Sequence, residues 1–118
     1  MSFAATDAIG FVLHSAINGL STRQEVIADN IANVDTPGFR ARAADFESTL
    51  SRAIERGKAT DVGVTVSATD TPVGANGNNV DLRKESIAAI QTQYEYEVMG
   101  RAISDRATRM SLMSGGNG

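Results

Sequence analysis

The residues best suited to chemistry in this chain are polar and clustered at two places. Asn30, Asn33 and Asp35 put three oxygen donors within six positions, and calcium is the ion such a set could hold. An EF-hand loop needs Asp or Asn at alternate positions, then Gly, then a closing Glu; nothing here follows that order. Capping is the stronger reading. Asn30 and Asn33 lie three apart, on one face near the end of an apolar-periodic helix. There an amide can bond orphan carbonyls or accept a left-handed backbone. The second cluster, Gly74-Ala75-Asn76-Gly77-Asn78-Asn79, precedes a helix as a phosphate cradle does. It lacks both the Gly-Lys-Ser/Thr ending and the dinucleotide glycine spacing, so it reads as a plain loop.

Other reactive groups are sparse. His14 is the sole histidine, and the hydroxyls near it, Ser15 and Ser21, sit in no nucleophile motif. Cysteine is absent, which removes disulfides, thiolate catalysis and Cys-based metal sites together. A net charge of −3 argues against nucleic acid, which requires clustered cations. Arg40, Arg42, Arg52, Arg56 and Lys58 do form a basic cluster, readable either as solvated surface or as a dock for an acidic neighbour. The chain reads as a non-enzyme with no cofactor and no metal.

Two long helices must position these clusters. Leu13, Ile17, Leu20, Ile27, Ile31 and Val34 follow heptad spacing, with a polar interruption at Gln24, and predict a helix over about residues 7–33. Gly10 and Gly19 weaken it by about 1 kcal/mol each relative to Ala. Thr36-Pro37-Gly38 then supplies Pro and Gly at the central positions of a type II turn. Phe46, Leu50 and Ile54 predict a short helix across 44–56 that stops at Gly57. Val62, Val64 and Val66 alternate with polar residues and predict one short strand. Residues 69–79 read as a flexible loop. Asn79 or Asp81 is a fitting N-cap for the second long helix.

That helix carries two apolar stripes: Ile87, Ile90, Tyr94, Val98 and Ala102 form one, and Tyr96, Met99, Ile103, Ala107, Met110 and Met113 the other. One partner cannot cover both. Ser114 to Gly118 read as a disordered tail. At 118 residues, 42% hydrophobic but only 5% aromatic, the chain is at most one domain with a modest core. Its expected fold is mainly α: long terminal helices paired as a coiled coil, with a short helix and a loop or short β region between them. The expected segments are 1–36, 37–79 and 80–118. Asp7, His14 and Asn18 interrupt the apolar start, and no basic segment precedes it, so neither a membrane span nor a cleaved signal is expected.

Asn30-Ile31-Ala32-Asn33-Val34-Asp35-Thr36-Pro37-Gly38-Phe39 resembles the N-terminal motif of bacterial flagellar axial proteins. The continuation through Phe46, and a second block comprising Asn78, Asn79, Val80, Asp81 and Glu85, resemble the proximal rod proteins of the basal body (the FlgB type). The resemblance covers most of the chain outside about residues 57–75. It implies a structural subunit of the proximal rod that transmits torque. It also implies export through the flagellar type III apparatus without a cleaved signal peptide, and assembly in the periplasm with other rod subunits, the basal-body ring and its adapter protein. On this reading the packing residues between subunits are Leu13, Ile17, Leu20, Ile27, Ile31, Val34, Ile87, Ile90, Tyr94, Val98, Met99, Ile103 and Met110. Two departures stand out: the chain ends soon after Met113, and Ser86 follows Lys84-Glu85 where relatives often have Met. From the residues alone, a small helical adaptor offering one apolar face to one partner remains an alternative.

Overall fold

The structure, a computed structural model, describes residues 3–57 and 63–115, with side chains over 8–57 and 63–114. The element order is α1 (Phe3–Ala32), β1 (Arg42–Asp45), α2 (Glu47–Glu55), β2 (Thr65–Ala68) and α3 (Leu82–Gly115). This is the expected mainly α fold, with a two-stranded sheet in the middle. The main contact pairs α1 with α3.

Helix α1 ends where expected. The amide of Asn33 donates to the Asp29 carbonyl at 2.8 Å, satisfying one of the carbonyls left open at a helix C-terminus. Thr36-Pro37-Gly38-Phe39 then makes the type II turn: Gly38 has φ +77°, and the Phe39 N–H donates to the Thr36 carbonyl at 3.2 Å. A side chain at that φ would crowd the following carbonyl, which is why glycine stands there. Helix α3 starts at Leu82 because Asp81 caps it, its carboxylate accepting from the Lys84 N–H at 3.2 Å.

The middle of the chain departs from expectation in detail. The segment expected to begin a helix at residue 44 is strand through Asp45. Strand β1 pairs antiparallel with β2, Arg42 opposite Ala68 and Asp45 opposite Thr65. The alternation Val64-Thr65-Val66 marked β2, but Arg-Ala-Ala-Asp carries no strand propensity of its own. It is extended because its neighbours supply hydrogen-bond partners. Val62 and Lys58 lie outside the described residues, as do Gly116 to Gly118; Ser114 and Gly115, expected in the tail, belong to α3.

A small core forms where α1, α2 and α3 meet. Ala16, Leu20 and Phe46 are buried there, with Leu50, Val64, Tyr96 and Met99 packed around them. Gly19 permits this: a Cβ on it would lie 2.2 Å from the Phe46 ring. The glycine that weakens α1 by propensity thus allows the only buried aromatic side chain among the described residues to lie against the helix backbone. The molecule is long and thin, 66 × 28 × 14 Å. Its radius of gyration is 18.2 Å, against about 13.5 Å for a globular domain of this length.

Candidate functional site: a polar hub and open helix faces

The two polar clusters of the sequence meet in space. Asn30 is fully buried at 0% exposure. Its amide nitrogen donates to the Arg42 carbonyl at 2.8 Å and to Glu85 Oε1 at 3.1 Å. Its oxygen accepts from the Arg42 N–H at 3.1 Å. One side chain therefore ties α1 to the start of β1 and the first turn of α3. Asn78 donates to the carbonyls of Asn33 and Thr36 at 2.9 and 2.7 Å, and accepts from the Val80 N–H at 2.7 Å. Asn79 accepts from the Ala41 N–H at 2.6 Å and donates to the Thr71 carbonyl at 3.2 Å. Backbone bonds add to this, from Gly38 N–H to Asn76 and from Asn79 N–H to Phe39.

Each amide in this hub has both ends occupied, as burial requires. The hub residues read from the sequence thus split by role. Asn30, Asn78, Asn79 and Glu85 are buried and connect segments, whereas Asn33, Thr36, Pro37, Gly38, Phe39 and Asp81 shape turns and caps. Asp35 and Ala32 are exposed; Ile31 and Val80 are half-buried. No group of three His, Cys, Asp or Glu able to hold a metal exists among the described residues.

Beside the hub lies a clamp that the sequence reading missed. The Arg23 guanidinium donates to the Ala44 carbonyl at 2.8 Å and to Glu47 at 2.9 Å, and lies 5.0 Å from the centre of the Phe46 ring. The hydrogen bond from Arg23 holds the Glu47 carboxyl below its ordinary pKa, and the same bond raises that of Arg23. The Ser48 hydroxyl and N–H lower that of Asp45, which caps the start of α2. The available signal was an Arg in the middle of an apolar heptad helix. Of the basic cluster, Arg42 pairs with Asp29 at 2.8 Å, while Arg40, Arg52 and Arg56 are exposed.

The residues expected to pack between subunits divide between covered and open. Leu20 and Ile27 are buried, while Leu13, Ile17, Ile31 and Val34 are half-buried. Gln24, the interruption in the heptad, bonds Gln93 of α3 at 3.0 Å. Met99 and Ile103 are half-buried, and Met110 is exposed. Ile87, Ile90, Tyr94 and Val98 form an uncovered ridge, Ile90 at 72% and Tyr94 at 68% exposure. A second open surface is an apolar groove of about 320 Å³ between α1 and α2, lined by residues including Phe11, Val12, Leu50 and Ile54. No described helix is long and apolar enough to cross a membrane.

The described residues form a thin helical pair with an ordered polar hub and uncovered apolar faces. Residues 12–40 match the family described as Flagella basal body rod protein. The chain is 34% identical to the flagellar basal body rod protein FlgB of Escherichia coli, covering 86% of this chain and 90% of that one. It is 30% identical to that of Bacillus subtilis, over 88% and 92% respectively. A segment of 54 residues is 50% identical to that of Yersinia enterocolitica, covering 46% of this chain and 39% of its relative. The chain belongs to the FlgB family of flagellar basal body rod proteins.

Proposed function

We propose that this chain is a subunit of the proximal rod, built in the periplasm after export through the flagellar type III apparatus, and that it transmits torque along the rod. Its neighbours on this reading are other rod subunits and the basal-body ring with its adapter protein. The observation that carries the proposal is the uncovered apolar surface on an elongated helix pair whose family is that of rod proteins. Burying a large aliphatic or aromatic side chain contributes about 1.5–3 kcal/mol, so the ridge and groove together leave several kcal/mol to be gained by packing against neighbours. The hub ties the end of α1 to the first turn of α3, and a load-bearing subunit needs that junction held.

The open ends of α1 and α3 are the parts proposed to order fully only on incorporation. Far-ultraviolet circular dichroism of the dilute chain should show incomplete helix and a shallow melt; full helix with a sharp melt would argue against coupled ordering. Electron microscopy of basal bodies isolated from a strain carrying a tagged chain tests the location. Label at the proximal rod is expected. Basal bodies without label would overturn the assignment.

A further inference from the structure

The exposed ridge of α3 has a pattern that a two-fold axis would reproduce. Its residues are Arg83, Ile87, Ile90, Tyr94, Val98, Arg101 and Asp105, all exposed. Their spacings run 4, 3, 4, 4, 3, 4, which is a palindrome centred on Tyr94. The stripe advances 22 positions in six steps, about 3.67 per step, close to the α-helical period of about 3.6, so it stays on one face of a straight helix. Laid antiparallel on a second copy about an axis through Tyr94, Arg83 falls opposite Asp105, Ile90 opposite Val98, and Tyr94 opposite Tyr94. Ile87 falls opposite Arg101, whose methylene stem can cover it while the guanidinium stays in water.

The charge register favours this partner. Within the chain, Arg83 and Asp105 make no ion pair with any described residue, although both border an apolar stripe. In the antiparallel pair the Arg83–Asp105 contact occurs twice, once at each end of an interface about 33 Å long. In a parallel pairing of the same stripes Arg83 would face Arg83 and Asp105 would face Asp105, and like charges oppose association.

We propose that the free chain forms a two-fold, antiparallel dimer through the α3 ridge, centred on Tyr94. A two-fold contact closes on itself and cannot propagate. The dimer is therefore a state outside any open assembly, in which the ridge is hidden, and incorporation into a rod requires it to dissociate. This inference concerns the free chain, so its failure would leave the rod reading untouched.

The test uses the purified full-length chain. Sedimentation equilibrium should show a monomer–dimer equilibrium at about tens of micromolar, without larger species. The chain has no cysteine, so a single introduced thiol reports contact cleanly. Tyr94→Cys should give a disulfide-linked dimer on mild oxidation, whereas Ser51→Cys on exposed α2 should not. Arg83→Asp should weaken dimerisation at least about tenfold, and Arg83→Asp with Asp105→Arg should restore it to within about threefold. Asp near the start of α3 suits the helix dipole, so helix loss does not explain a weaker dimer. A chain that stays monomeric at about a hundred micromolar would overturn the proposal. So would equal cross-linking through Ser51→Cys, or failure of the charge swap to restore pairing.

Discussion

The two ends of the helix pair are held to different degrees. At the hub end, where α1 stops and α3 begins, buried amides bridge segments that lie up to 55 residues apart in sequence. At the open end, Ile9, Leu13, Met110 and Met113 line a wide gap between the helices, and Met113 is 83% exposed. Hydrogen bonds are directional and must be satisfied in burial, so the hub specifies one geometry. Apolar contacts are non-directional, and at the open end they are incomplete, so that end leaves its geometry to whatever packs against it. A subunit that must arrive in a defined shape and still adapt to neighbours has reason to separate the two.

The comparison is sharpest in stability. Replacing Phe46 with Ala should cost about 3 kcal/mol or more, because its ring fills the space over Gly19 and beneath Arg23. Urea unfolding followed by circular dichroism measures it; a loss below about 1 kcal/mol would mean the small core does not hold the three helices together. Asn30→Ala should follow, at about 2–3 kcal/mol, since it leaves Glu85 and both backbone groups of Arg42 without this partner. Asn30→Asp should not rescue it, because a second carboxylate would face Glu85.

Next in size is Gly38→Ala, expected to cost about 1–2 kcal/mol because φ +77° crowds a Cβ. Thermal melts of the two chains side by side would show it. Acid should act more weakly. The folded Glu47 carboxyl has a lowered pKa, so its bond to Arg23 supports the fold above the ordinary carboxylate pKa. That support fades as pH falls from about 4.3 through the folded value, and Glu47→Gln should flatten this part of the stability profile. Being half-exposed, the pair should contribute no more than about 1 kcal/mol. The smallest effect belongs to the open end. Met113→Ala should shift stability by less than about 0.5 kcal/mol, and a larger change would erase the contrast between the ends.

Much of the fold was legible because periodicity is local. Heptad spacing in residues 13–34 and the double stripe in 87–113 placed both long helices, and Pro37-Gly38 placed the turn between α1 and β1. Asn79 and Asp81 were both fitting caps for α3, and Asp81 takes that place. Strand β1 was not legible: Arg42-Ala43-Ala44-Asp45 is extended only because β2 and Asn30 offer it partners. The Arg23–Glu47 clamp was hidden for a similar reason, since nothing local links a helix Arg to an acid 24 residues on.

By itself the sequence determined the helices, their apolar faces, and the turn and cap chemistry that ends them. Those depend on residues within a few positions of one another, where spacing and backbone preference suffice. Only the tertiary structure decided that the two asparagine clusters form one hub, that Gly19 exists to admit Phe46, and which stripe of α3 lies against α1. These are meetings between distant segments. The chain's local preferences allow many such meetings, and burial with full hydrogen bonding selects one.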